Sequence, residues 1–365
     1  MYRRSDARIN AAARRLRARP LPLPAEIRYP KPMRALPCSR RPLGAALALG
    51  PTLLARAEAE AVPWITASLV SGPAIVLGAV QRAGRVVDLA ACAAASAPVL
   101  RRATTGTAAY LSSEALIWTL ALPHLGALVG DTRPETLLNR NVRPFLKGFA
   151  RAGAAAHYFG REWIAVHHRP GALLGFDVAP SGAVLIEVIA GYDAGIAIPE
   201  LLAALEERSV DRWRGKAPAS LLTDHPGAAP PLEYAGAVIA GVAERAAQPL
   251  DFVDPPDLAH SPGLARLPGL GGADPSRVTG ANDPIGPGLE IPAPIRCPIG
   301  WLDVAFAPGG AGAAWVGGDL LAPRHVLQAV ARAASGGAPD DLERAPIEGW
   351  RWSDVIREAS ARRSP

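Results

Sequence analysis

The chain has 365 residues and a net charge of +6; 49% of its residues are hydrophobic and 20% are charged. That is enough apolar chain for two cored domains and too much for a disordered polymer. No run reaches the roughly 18 apolar residues of a membrane span, and the three scattered cysteines, Cys38, Cys92 and Cys297, offer neither a disulfide framework nor a CxxC metal pair, so a reducing cytoplasm is expected, with no membrane partner and no bound metal cluster.

Residues 1–42 read as a basic, proline-punctuated arm, with Arg3, Arg4, Arg8, Arg14, Arg15, Arg17 and Arg19 crowded at its start. A solvated tail, a nucleic-acid contact and a transit-like segment all fit it. Lysine is confined to Lys31, Lys147 and Lys216, so nearly all of the 39 basic residues are arginine. Arginine content is then a property of the whole composition, and nucleic acid is not expected as a partner.

A first domain is predicted over 43–210. It opens with a helix over 43–61, followed by two short strands within 64–77 around Ser71-Gly72-Pro73. A helix is predicted over 85–97, then a strand, a small polar turn and a second strand from Pro98 to Leu111. Leu137, Leu138, Val142, Phe145, Leu146 and Phe149 recur at helical spacing, predicting an amphipathic helix over 134–153 that Pro144 interrupts or kinks. Three strands should follow at 163–166, 171–178 and 183–189, the last two joined by Pro180-Ser181-Gly182 and paired antiparallel. A helix over 199–208 closes the domain. Residues 211–297 are crowded with Pro, Gly and Asp and read as a connector with one helical island at 234–247. Residues 298–365 read as a small second unit: strands at 301–307 and 313–319, a helix at 323–334 and further short helices near 340–344 and 353–361.

Chemistry concentrates in the turn after Pro98. Arg101 and Arg102 precede Ala103-Thr104-Thr105-Gly106-Thr107, a basic entry into a small-residue loop whose glycine is free to take positive φ. On a strand the two arginines face opposite ways, so at most one faces a pocket. His167 and His168 are adjacent and, if on a strand, cannot share a metal. There is no Gly-x-Ser-x-Gly elbow and no Gly-x-x-x-x-Gly-Lys phosphate loop.

The order of this loop, of the strand Ala74–Leu77 leading to Gly78, of Gly160-Arg161-Glu162-Trp163-Ile164-Ala165-Val166 and of Ala172-Leu173-Leu174-Gly175 resembles the lipoate-protein ligase A family of the biotin/lipoate ligase superfamily. The strand-strand-Gly-Asp-helix order after residue 298 is similar to the accessory domain of many such ligases. The resemblance implies an α+β fold, a mixed β-sheet with packed helices plus a small α+β accessory domain. It implies an acyl-protein ligase or acyltransferase acting on lipoate or octanoate by way of an acyl-adenylate, with ATP and magnesium, and a lipoyl-type carrier domain as partner. Carried over residue by residue, Arg101, Arg102, Thr104, Thr105, Gly106, Gly78, Arg161, Trp163 and Gly175 would bind substrate or adenylate. Trp163 reads equally as a core residue at the sheet edge. Where the ligases carry a lysine three residues before the glycine of the last element, this chain has Ala172. Lys147 and Arg169 are the nearest substitutes, and both read as solvated. A non-catalytic relative that binds an acyl or adenylate ligand and regulates is the alternative.

Overall fold

The computed structural model describes residues 31–130, 133, 136–160, 162–222, 225, 227–254, 284–285, 288–297, 300–308, 313–336, 342 and 351–361. In chain order the elements are β1 (Met33–Ala35), β2 (Ser39–Arg40), α1 (Leu43–Glu60), β3 (Trp64–Ser71), β4 (Ala74–Leu77), α2 (Ala83–Val86), α3 (Leu89–Ala94), β5 (Val99–Arg101), β6 (Ala109–Leu111) and β7 (Glu114–Leu122). Then come α4 (Leu137–Arg151), β8 (Ala156–His157), β9 (Trp163–Val166), β10 (Arg169–Val178), β11 (Val184–Gly191), α5 (Leu205–Arg208), α6 (Pro231–Ala246), β12 (Leu250–Phe252), β13 (Ile295–Cys297), β14 (Gly300–Phe306), β15 (Ala313–Gly318), α7 (Arg324–Ala334) and α8 (Trp352–Ala361).

The fold is α+β, built on a mixed sheet in the order β12-β1-β3-β7-β11-β10-β9-β8, with β2 added beside β3. Its pairs are parallel at the β12-β1-β3 end and antiparallel from β3 to β8. The central strands are buried on both faces, and their sequences are accordingly near-continuous apolar runs. One face carries α4 and α6: Leu137, Val142, Phe145 and Phe149 of α4 and Tyr234, Val238 and Val242 of α6 pack on Leu116, Trp118, Leu120, Ala172, Leu174, Phe176, Ile186 and Val188. Trp118 meets Phe149 edge-on at 5.5 Å, and its indole N–H donates to the Ala235 carbonyl at 3.3 Å. The other face carries α1 and a small sheet in the order β5-β4-β6.

The C-terminal unit is a three-stranded antiparallel sheet, β13-β14-β15, with α7 and α8 around Leu302, Val304, Val316, Leu327, Val330 and Trp352. It packs against the exit of β4: Val80 lies in its core and accepts a hydrogen bond from the Gly318 N–H.

The sequence expectations need correcting at several places. Residues 33–40, assigned to the arm, supply β1 and β2, with Met33 and Ala35 fully buried. Residues 231–252, assigned to the connector, supply α6 and β12, which complete one face and one edge of the main sheet. The helix over 85–97 is two pieces, because Val87 is extended and bridges Ala203 while the Asp88 carboxylate caps the second piece through the N–H groups of Ala90 and Ala91. Only 205–208 of the helix over 199–208 is helical. Helix α4 runs through Pro144 without ending there. His167 and His168 sit in the turn between β9 and β10 at φ of 48° and 66°, not on a strand. The predicted segment 340–344 lies almost wholly outside the described residues.

Candidate functional site

β4 and β5 run parallel and deliver Gly78 and Arg101-Arg102 side by side. The loop 103–108 then crosses the face of the main sheet above β10 and β11 before β6 returns antiparallel to β4. Gly106 takes a φ of +103°, a conformation that a glycine adopts freely. A Cβ on Gly78 would stand 2.1 Å from the Gly106 carbonyl oxygen, so the loop lies directly on the strand exit. Gly175 permits the second close approach, since a Cβ there would meet the Thr104 hydroxyl at 2.3 Å and Arg102 Nε at 2.9 Å.

The two arginines do diverge. Arg101 turns back along β4 and donates to the carbonyls of Gly78 at 2.9 Å and Gln81 at 2.6 Å. Arg102 points inward and is 1% exposed; its Nη2 donates to the carbonyls of Thr105, Thr107 and Leu174 at 3.1, 3.0 and 3.2 Å. Burial pulls its pKa down to about 10, partly opposed by the charge of Glu187, which leaves it a cation at neutral pH.

Glu187, a residue the sequence reading passed over, sits under the loop in the middle of β11 and is fully buried. One carboxylate oxygen accepts from the Thr104 hydroxyl and from the Thr104 N–H at 3.3 Å. Burial raises its pKa, while Arg102 and the two Thr104 bonds draw it back. The signal was a lone acid inside the apolar run Val184–Gly191.

The rest of the loop is tied down in the same way. The Thr105 N–H donates to the Phe176 carbonyl at 3.2 Å, and the Gly106 N–H to the Leu320 carbonyl at 3.1 Å. The Thr105 hydroxyl donates to the Phe176 carbonyl at 2.8 Å and accepts from the Ala322 N–H at 3.2 Å. Asp177, two residues past Gly175 on the same side of β10, holds Arg324 at 2.5 Å. The segment 319–324 of the C-terminal unit therefore lies across the loop. The hydroxyls of Thr104 and Thr105, expected from the resemblance to bind substrate or adenylate, contact Glu187 and the Phe176 carbonyl.

Not all the expected site residues converge. Trp163 is buried on the loop side of the sheet with Leu173 and meets the Trp213 ring at 5.9 Å, a core position. Ala172 faces the other way, into the core under α4 and α6, while Gly175 faces the loop, so the two do not border one slot. Arg169 donates to the carbonyls of Ala217 and Pro218, and Lys147 pairs with Glu244 on the outer surface of α4 and α6; neither reaches the loop. Arg161 lies outside the described residues. Cys92, on α3, is buried in a cluster with Val86, Val87 and Leu202, its thiol pKa pushed up by burial.

Two open grooves adjoin Arg212, one of them reaching the loop's exit at Ala108. One of about 370 Å³ is bordered by Ala108, Ile198, Glu200, Arg208, Arg212 and Trp213. A second of about 270 Å³ shares Val210 and Arg212 with it and adds Arg214 and Arg296. Arg212 forms the wall between them and is held by Glu207 at 2.6 Å and Asp319 at 3.2 Å. Neither groove is bordered by Arg102, Thr104, Thr105, Gly106 or Gly175. Among the described residues no three His, Cys, Asp or Glu side chains gather as a metal site, and no helix is long and apolar enough to cross a membrane.

The loop as it stands offers the phosphates of ATP, which the resemblance implies, no N–H from Thr104, Thr105 or Gly106. A phosphate needs backbone N–H groups left open to it, and those of Thr104, Thr105 and Gly106 already donate within the protein.

No family model and no curated protein matches the chain. Solved structures do. The chain is similar to the bipartite lipoate protein ligase of Thermoplasma acidophilum, described with its E2 lipoyl domain, at 14% identity and a TM-score of 0.52 over 64% of this chain and 91% of that one. It is similar to P. falciparum LipL1 in complex with lipoate at 12% identity and a TM-score of 0.57, covering 78% and 84% of the two chains. A lipoate-protein ligase A bound with ATP matches at 15% identity and a TM-score of 0.50 over 64% and 93%.

Proposed function

We propose that this chain, whose fold is that of the lipoate-protein ligases, is a ligase-like binding protein that does not activate an acyl group at its arginine loop. The observation that carries the reading is the loop's own hydrogen bonding: the N–H groups of Thr104, Thr105 and Gly106 go to Glu187, Phe176 and Leu320, and Arg102 is buried beneath them. Charge developing on an adenylate would meet donors already engaged, and an anionic transition state gains from donors held ready for it. Ala172 adds nothing here, since its side chain faces the opposite core. What the fold retains is a surface. By analogy with the archaeal ligase described with its lipoyl domain, the partner is a lipoyl-type carrier domain, met at the open grooves beside Ala108 and Arg208.

A second reading keeps the enzyme: an acyl-protein ligase for lipoate or octanoate, using ATP and magnesium once the loop is displaced. The order of Gly78, Arg101, Arg102 and Gly106 on β4 and β5 favours it, together with the ligands bound to similar structures. One assay separates the two. The full chain, incubated with lipoate or octanoate, ATP and magnesium, is followed by mass spectrometry for acyl-adenylate and for acylation of an added lipoyl domain. The binding-protein reading expects neither product, with the lipoyl domain retained in a calorimetric titration. Adenylate formation at the rate of a working ligase returns the protein to the enzymes.

A further inference from the structure

The Arg102 pocket is polar, buried and incompletely satisfied. Nε and Nη1 of Arg102 have no hydrogen-bond partner, and neither has the second carboxylate oxygen of Glu187 or the hydroxyls of Thr107 and Thr119. Thr119 is the cross-strand neighbour of Glu187 on β7, and Gly175 its neighbour on β10. Two residues without a Cβ frame the pair. Gly175 lets Thr104 and Arg102 Nε lie against β10, and a Cβ on Gly50 of α1 would stand 3.2 Å from the open Glu187 oxygen.

A wholly buried guanidinium demands a counter-charge, and losing it is costly because desolvation is not returned. Among the acids, Glu187 supplies the charge that acts on Arg102. It does so by taking a loop N–H and a loop hydroxyl, both from Thr104, which are the donors that the carboxylate of a small acid entering this pocket would use. We propose that Glu187 is a built-in carboxylate ligand of the arginine loop: it fills from within a site for small carboxylates, and it is the residue that decides whether an external acid is admitted. This inference rests on the binding-protein reading and extends it by naming what closes the pocket.

The site so defined takes a monocarboxylate, its oxygens on Thr104 and the open nitrogens of Arg102, once the Glu187 side chain is removed. The test uses the full chain as wild type, Glu187→Ala, and the double variant Arg102→Met with Glu187→Ala, at pH 8 in formate or acetate against equal concentrations of chloride. Formate should raise the thermal midpoint of Glu187→Ala by roughly 2–4 °C more than chloride does, leaving wild type and the double variant unmoved. Should Glu187→Ala not fold in chloride, its refolding yield is read instead, and formate should increase it severalfold. The proposal is overturned when formate does no more than chloride in both measurements, or when its effect persists without Arg102. Either failure leaves the adenylation assay unaffected; conversely, an active wild-type enzyme refutes the binding-protein reading whatever formate does.

Discussion

The two faces of the main sheet are organised by opposite rules. Under α4 and α6 the sheet presents Trp118, Ala172, Leu174, Phe176, Ile186 and Val188, an apolar layer on which the helices are seated chiefly by shape. Under the loop it presents Gly175, Asp177 and Glu187 among its apolar residues, and what lies on them is fixed by charge and hydrogen bonds. The same strands make both surfaces, since alternate residues of β10 and β11 go to opposite sides. An odd difference in position along β10 thus separates a residue facing the loop from a packing residue, and Ala172 with Gly175, three positions apart, is that case.

The comparison breaks most visibly at Ala172. Ala172→Lys forces an ammonium into the apolar face, and a cost on the order of 5 kcal/mol, or failure to fold, is expected in urea denaturation, with no gain in adenylation. A variant of normal stability that activates lipoate would show that residue 172 reaches the loop after all. Next come the paired changes on the polar face. Arg102→Met and Glu187→Leu should each cost about 3–5 kcal/mol alone, because each strands a buried charge, whereas together they should cost far less than the sum. Additive losses in the double-mutant cycle would mean the two charges are not coupled. The smallest effect is expected at the loop's hydroxyl: Thr105→Val removes the bonds to Phe176 and Ala322 for about 1–2 kcal/mol, read as a shift in denaturation midpoint at unchanged slope.

How far these features could be read from the sequence depends on how local their causes are. Strands β9, β10 and β11 were legible because turn residues such as Pro180-Ser181-Gly182 separate their apolar runs. α4 showed through its helical spacing, and α1, α6 and α7 were read as helices as well. β7 was missed although it is the central strand: Glu114–Leu122 is buried on both faces, which erases the alternation that marks a half-exposed strand. β1 and β12 are three residues each and exist through pairing with one another some 217 positions apart, as between Arg34 and Asp251, and no window of sequence contains that. At the site, Arg101, Arg102 and Gly106 announced themselves through residue type. Glu187 did not, because its meaning lies in what crosses above it, and the face occupied by Ala172 depended on the register of a strand whose start carries a bulge at Pro170.

The bonds from Gly106 to Leu320 and from Ala322 to Thr105 join two parts of the chain more than 200 residues apart at a single spot. The loop and the segment 320–322 therefore share one latch. Energy spent to lift either is spent on both, and thermodynamic reciprocity requires that a partner gripping the C-terminal unit change the loop's readiness to open by the same factor that an occupant of the loop changes the partner's grip. In this fold a distant protein contact and the accessibility of a buried arginine are two readings of one equilibrium.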